Sequence, residues 1–216
     1  IEARIYAEDP FRNFLPSVGR LTHFISPNED KYTRFDTGVT EGSNISVYYD
    51  PMIAKLSVHE KNRITAIEKL KAGLNNLYIK GIKHNIGFLY SVLSNQQFLR
   101  GNISTDFIKK EWPNGYINDR IKSHDKDFIN VVSAFIHSEF VKRNALITGQ
   151  ITPRNNPQND SWIVIINDVS QKVSISSEER EHKVFIKGRQ FVLITDWKIG
   201  NYIFSGTINN QKIIIQ

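Results

Sequence analysis

A chain of 216 residues, 40% of them hydrophobic, has room for one large domain or two small ones with ordinary cores. It contains no cysteine, which excludes disulfides, thiolate catalysis and Cys-based zinc sites, and no stretch approaches the roughly 20 apolar residues that cross a bilayer. A net charge of +6 and a pI near 9.4 admit anionic partners, but the Lys and Arg residues are dispersed among helical apolar positions without interleaved aromatics, so neither nucleic acid nor a membrane is expected as a partner.

The first ten residues, "IEARIYAEDP", read as a strand. Ile1, Ala3, Ile5 and Ala7 fall on one face and Glu2, Arg4, Tyr6 and Glu8 on the other, because side chains alternate. Arg4 between glutamates reads either as a solvated ion pair, worth roughly 0–1 kcal/mol, or as a fixed cation in a site wall. Strands follow at "GRLTHFISP" (19–27), "TRFDTGV" (33–39) and "SVYYDPMIAKLSV" (46–58), punctuated by Gly38, Gly42 and Pro51. Tyr48 and Tyr49 are expected to pack. Ile64, Ile67, Leu70, Leu74 and Leu77 mark one face of a helix over 60–78, and Ile86, Leu89, Val92 and Leu93 a second over about 84–99, stopped by Gly101. Ser104 or Thr105 is the expected cap of a short helix, "DFIKKEW". "EWPNGY" (111–116) reads as a boundary, giving domains 1–116 and 117–216.

Beyond it, 119–144 is one more helical run, with Phe128, Val131, Val132, Phe135, Ile136, Phe140 and Val141. Its apolar arc is wide enough that burial is expected, with Phe135 and Phe140 facing a sheet. "TPRNNPQND" (152–160) reads as a polar loop. From 161 six short strands recur with turn signals at "NDVS", "KGRQ" and "INNQ", which predicts an antiparallel barrel or curled sheet around the helix. The chain opens inside a strand and stops in one, so an open edge near 211–216 and a longer parent polypeptide are expected. The six histidines (His23, His59, His84, His124, His137 and His182) show neither His-x-His nor His-Glu-x-x-His spacing, and no metal site is expected. Neither G-x-x-x-x-G-K nor G-x-G-x-x-G occurs.

"ARIYAEDPFRNFLPSVGRLTHF" (3–24), "YYDPMIAKL" (48–56), "IKGIKHNI" (79–86) and "FLRGNISTDFI" (98–108) together resemble the C-terminal part of biotin carboxylase domains, which have the ATP-grasp fold. "YAEDPFRNFLPSVGRL" and "NISTDFIKKEWPNGY" look most like the α subunits of propionyl-CoA carboxylases; acetyl-CoA and methylcrotonyl-CoA carboxylases resemble the chain less at the second. In the propionyl-CoA type a BT linker domain, a long helix inside an antiparallel barrel, follows the carboxylase domain. The resemblance therefore implies an α+β fold: the end of an ATP-grasp domain, then an incomplete BT-like helix and barrel.

The resemblance also implies chemistry. ATP and bicarbonate carboxylate biotin on a carrier domain, and a carboxyltransferase β subunit passes the carboxyl group to an acyl-CoA. ATP and Mg would be held mainly by residues before this chain, and the biotinylated carrier motif would follow it. Arg4 matches the arginine of the "E-x-R-x-x-A-E-D-P" motif, which stabilises oxyanion charge on biotin and faces the biotin and bicarbonate side. Asp50 and Glu2 are the candidates for orienting it, Asp50 equally reading as a turn aspartate that caps its own backbone. The chain alone is expected to be inactive, or to serve only as a subunit-docking module. The implied location is the cytoplasm of a bacterium or the mitochondrial matrix of a eukaryote.

Overall fold

The computed structural model describes residues 1–116, 123–148, 161–178 and 180–216. The fold is α+β, and the chain divides into two compact units, Ile1–Asp119 and Arg120–Gln216. The expected loop 152–160 lies outside the described residues.

The first unit is a patchwork of short strands: β1 (Glu2–Tyr6), β2 (Glu8–Asp9), β3 (Leu15–Pro16), β4 (Gly19–Arg20), β5 (His23–Ile25), β6 (Thr33–Thr37), β7 (Asn44–Ile45), β8 (Met52–Val58) and β9 (Tyr78–Lys80). Only β1, β8 and β6 form a larger sheet, in the order β1-β8-β6 with antiparallel pairing; the others pair two by two. Helix α1 (Arg63–Asn76) covers the apolar side of that sheet, followed by α2 (Ile86–Ser94), α3 (Gln96–Arg100) and α4 (Phe107–Glu111). The core is the buried side of β1 and β8 (Ala3, Ile5, Ala7, Ile53, Leu56) against Ile67, Leu70 and Leu74 of α1. Full burial of one such Ile or Leu is worth about 1.5–3 kcal/mol.

Several expected boundaries shift, each for a local reason. The expected strand 19–27 is two pieces, because Leu21 and Thr22 bond to different partners, Ser43 and Lys80. The expected strand 46–58 begins only at Met52. Residues before it form an open loop in which Tyr48 is 93% and Tyr49 83% exposed, so these tyrosines do not pack. The expected helix 84–99 breaks at Asn95, whose Oδ1 accepts from the N–H groups of Gln97 and Phe98 and starts α3. Gly101 does stop α3, at φ +81°. Asp106, not Ser104 or Thr105, occupies the cap position of α4. Ile64, in the first turn of α1, is exposed.

Gly81 sits where backbone meets backbone. Its φ is +103°, and a Cβ there would lie 2.0 Å from the Arg20 carbonyl oxygen. The close approach of the β9–α2 connection to β4 requires glycine.

The second unit follows its periodicity closely. Helix α5 (Ser123–Ala145) precedes β10 (Ser161–Ile166), β11 (Val169–Glu178), β12 (Glu181–Ile186), β13 (Arg189–Ile194), β14 (Phe204–Ile208) and β15 (Gln211–Ile215), which form a six-stranded antiparallel meander in chain order. The three expected hairpin turns are present as two-residue turns with both residues at positive φ: Asn167-Asp168, Lys187-Gly188 and Asn209-Asn210. The sheet curls over the helix, burying Phe128, Val131, Val132, Ala134 and Phe135 against Val173, Ile175, Val184, Ile186, Leu193, Phe204 and Ile208. Phe140 does not face the sheet; it is 41% exposed. Five residues at about 100° each carry it some 140° round the helix from Phe135, so both cannot share the sheet side. The expected strand "QFVLITDWKIG" (190–200) ends at Ile194, where Thr195 Oγ1 bonds to the Ser205 carbonyl and to the Trp197 N–H and turns the chain. Among the described residues β10 and β15 each pair on one side only, so the sheet is an open half-barrel with an edge at Gln211–Ile215.

Candidate active site

The polar face of the β1-β8-β6 sheet gathers charge in two rows. Register places Arg4 opposite Lys55 and Lys55 opposite Asp36; Glu2 stands opposite Ser57, and Ser57 opposite Arg34. On β1, Arg4 Nε donates to Glu2 Oε1 at 3.0 Å. On β6, Arg34 Nε donates to Asp36 Oδ2 at 3.0 Å. Ser57 Oγ donates to the other oxygen of Glu2 at 3.2 Å. Lys55 stands between these pairs and, among the described residues, makes no ion pair. Like charges directly opposite across a ladder are destabilising, so the Arg4–Lys55 juxtaposition suits an anion held over the sheet.

The electrostatics agree. The hydrogen bond from Arg4 holds the Glu2 carboxyl below its ordinary pKa, with Ser57 and Lys55 adding to the effect against some desolvation. The same bond raises the already high pKa of Arg4, with Tyr6 contributing. The Arg4 side chain remains 61% exposed while its Nε edge is committed to Glu2, so it is oriented and still open to solvent. A guanidinium carries five donors in a rigid fork.

Of the two residues expected to orient Arg4, the structure brings one to it. Glu2 is its ion-pair partner, whereas Asp50 Oδ1 accepts from the Met52 N–H at 2.8 Å, a turn aspartate bonded to its own backbone. Among the described residues Asp50 makes no ion pair with Arg4. Its closer relation is with Glu8, whose pKa is pushed up first by burial and then by the Asp50 charge.

The residue that fixes the backbone of Arg4 is Asn85, which sequence reasoning passed over. Buried at the start of α2, its Oδ1 accepts from the Tyr6 N–H at 2.9 Å and its Nδ2 donates to the Arg4 carbonyl at 3.2 Å. Its own N–H donates to the Tyr6 carbonyl at 3.2 Å. The amide thus pairs with the open edge of β1 as a neighbouring strand would. Asn85 lies within "IKGIKHNI", but a buried asparagine has no periodic signature. Lys55 was legible as a polar-face position of β8, since it alternates with Ala54 and Leu56.

Among the described residues no three His, Asp or Glu side chains converge as metal ligands. What the site offers is cationic: Arg4, Lys55 and Arg34 beside Tyr6, a donor set that fits an oxyanion and not a cation.

Two family models match the chain: "Biotin carboxylase C-terminal domain" over residues 2–110 and "Propionyl-coenzyme A carboxylase BT domain" over residues 129–216. The propionyl-CoA carboxylase alpha chain of Ruegeria pomeroyi is 30% identical over 236 residues, covering all of this chain and 35% of that protein. The methylcrotonoyl-CoA carboxylase subunit alpha of Rattus norvegicus is 48% identical over 107 residues, covering 50% of this chain and 15% of that protein. The biotin carboxylase domain of Hydrogenobacter thermophilus 2-oxoglutarate carboxylase, solved with MgADP, ADP and bicarbonate, superposes with a TM-score of 0.50 at 31% identity, over 52% of this chain and 24% of that one. The chain spans about a third of the length of the curated propionyl-CoA carboxylase relatives it matches. The expected architecture, the end of an ATP-grasp biotin carboxylase domain followed by a BT-type helix and curled sheet, stands on these matches.

Proposed function

The chain belongs to the biotin carboxylase family, and from that premise we propose that it is the C-terminal part of the carboxylase domain, joined to a BT linker, of a propionyl-CoA carboxylase α subunit. In this reading the domains are 1–116 and 117–216. The carrying observation is the exposed, ion-paired Arg4 opposite Lys55 on a three-stranded sheet, in one chain with a BT-type unit. Methylcrotonoyl-CoA and acetyl-CoA carboxylation are the nearest rival activities, and the similarity to a methylcrotonoyl-CoA enzyme subunit supports keeping the first in the assay.

The residues divide the work. Glu2 and Ser57 orient Arg4 from the sheet face, and Asn85 fixes its backbone from the edge. Arg4 presents a permanent positive charge where negative charge grows on an oxygen, an arrangement that needs no reorganisation during reaction. Lys55 raises the local potential. Biotin, delivered by a carrier domain, supplies the nitrogen that takes up the carboxyl group. ATP and Mg would be held mainly by residues outside this chain. The second unit would dock the carboxyltransferase β subunit, and the protein would work in the bacterial cytoplasm or the mitochondrial matrix. No helix among the described residues is long and apolar enough to cross a membrane.

The test uses the complete α subunit. Arg4→Ala is expected to slow biotin carboxylation about 100–1000-fold, the cost of one preorganised oxyanion donor, with little effect on ATP affinity. Arg4→Lys should recover part of the rate, since a point charge replaces the fork. A near wild-type rate for Arg4→Ala would mean that Glu2 is the whole purpose of Arg4. Paired with its β subunit, the enzyme should prefer propionyl-CoA to 3-methylcrotonyl-CoA and acetyl-CoA.

A further inference from the structure

Six side chains tile the polar face of the β1-β8-β6 sheet in two rows: Glu2, Ser57 and Arg34, then Arg4, Lys55 and Asp36. Both carboxylates are already engaged. Glu2 receives Arg4 Nε on one oxygen and Ser57 Oγ on the other, and Asp36 receives Arg34 Nε along its own strand. Two arginines and two carboxylates thus pair off, and the positive charge in surplus on this face is Lys55. Among the described residues it makes no ion pair, although Asp36 stands opposite it in the register.

Lys55 also differs from a surface lysine in its setting. It is half-buried, on the central strand of the sheet, between Ala54 and Leu56 whose side chains lie in the core on the other face. Residues directly opposite in an antiparallel pair have Cβ atoms roughly 4.5–5.5 Å apart, and like charges there are destabilising. An anion shared by Arg4 and Lys55 relieves that cost. Its chemistry follows from the role of Arg4. If Arg4 holds the ureido oxygen of biotin, the carboxyl group is added to the nitrogen bonded to the same carbonyl carbon. In N-carboxybiotin the new carboxylate therefore lies beside the ureido oxygen. Two anionic oxygens side by side on one ligand match two cations side by side on one ladder.

We propose that Lys55 is a substrate-binding residue of this site, its ammonium holding the carboxylate of N-carboxybiotin beside the ureido oxygen held by Arg4. The proposal rests on the reading of Arg4 as the cation for that oxygen. The division of labour suits the two side chains. The guanidinium is a planar fork fixed by Glu2, and the ammonium is a compact charge with three donors on a flexible stem, able to follow a carboxylate as it forms.

The experiment measures carboxylation of free biotin by the complete α subunit at saturating ATP and bicarbonate, with melting temperature and ATP affinity as controls for folding. Lys55→Met keeps most of the stem and removes the charge. It is expected to slow carboxylation about 10–100-fold, the worth of one hydrogen bond between charged groups. Lys55→Gln does the same with a polar head and serves if Lys55→Met lowers the melting temperature. Lys55→Arg should recover only part of the rate, because its donors stand farther from the sheet. Combined with Arg4→Ala, Lys55→Met should cost at least about fivefold less than the product of the two single losses, since a ligand released by Arg4 no longer presents its carboxylate to Lys55. A loss below tenfold in the folded Lys55→Met subunit, beside a slow Arg4→Ala, would overturn this proposal and leave the reading of Arg4 standing. Full recovery by Lys55→Arg, or single losses that simply multiply, would show two cations acting through their field without sharing a ligand, and would overturn it as well. An unimpaired Arg4→Ala subunit would remove the reading of Arg4 itself.

Discussion

The two units solve the same problem, burying one face of a sheet, with opposite economies of sequence. The second unit uses one six-stranded meander, two-residue turns and a single helix. Every strand pairs with its neighbour in sequence, so local patterning suffices. The first unit splits its backbone pairing among one three-stranded and three two-stranded sheets. Side chains then take over backbone duties: Asn85 on β1, Asn95 before α3, and Arg63, whose Nε and Nη2 both donate to the Phe98 carbonyl while the guanidinium stacks on the Phe98 ring. Repeating hydrogen bonds hold the second unit together, and the first depends on individual polar residues.

The contrast explains what could be read from sequence. Period-2 and turn signals located all six strands of the second unit, because regular ladders impose that period. The same reading misjudged the strand at 19–27, the start of β8 and the break at Asn95, because side-chain bonds to backbone have no period. For the site the legibility reverses. Arg4 is proposed from a contiguous motif, and its ion-pair partner Glu2 is two residues away on the same strand. Asp50 shows the limit of motif reading: proximity in a motif suggested an Arg4 partner, and the Asx turn to Met52 took the carboxylate instead.

The comparison can be broken first in the second unit. Phe135 is 2% exposed and its ring meets those of Trp197, Phe204 and His182. Phe135→Ala should cost about 3–5 kcal/mol. Measured by hydrogen exchange, protection should fall across β11–β14 together, since the meander shares one core. Protection of β1 and β8, which belong to a separate core cluster, should hold. Loss confined to the residues touching Phe135 would show that the second unit is less cooperative than its regular ladder implies.

The first unit should respond to a smaller and more local change. Asn85→Ala removes two side-chain bonds and leaves the Tyr6 N–H and the Arg4 carbonyl without them. Each such group costs about 1–3 kcal/mol when buried, and less at this partly buried edge. The expected loss is about 2 kcal/mol in denaturant melts, accompanied in the complete subunit by a fall in biotin carboxylation with ATP affinity retained. Asn85→Asp keeps the acceptor for Tyr6 but sets a buried carboxylate oxygen against the Arg4 carbonyl, so it should cost at least as much as Asn85→Ala. If Asn85→Ala lost stability but kept full activity, the edge clamp would serve the fold and not the geometry of Arg4.

The smallest effect concerns Glu8, and its sign is diagnostic. Burial first, and then the Asp50 charge, push the Glu8 carboxyl pKa above its ordinary value. An acid raised in the folded state binds more protons there than in the unfolded chain, so stability is highest below the ordinary carboxyl range and is lost as pH rises through the raised value. Glu8→Gln removes that loss. Melting temperatures of variant and parent should agree near pH 4 and separate in favour of the variant toward pH 7, by a small margin because Glu8 is only partly buried. Asp50→Asn should narrow the separation, since one of the two causes disappears. It keeps an acceptor for the Met52 N–H, so the turn itself should survive. A variant less stable than the parent at pH 7 would mean that Glu8 has an attractive partner outweighing its crowding by Asp50, and that this corner of the first unit is held by an ion pair after all.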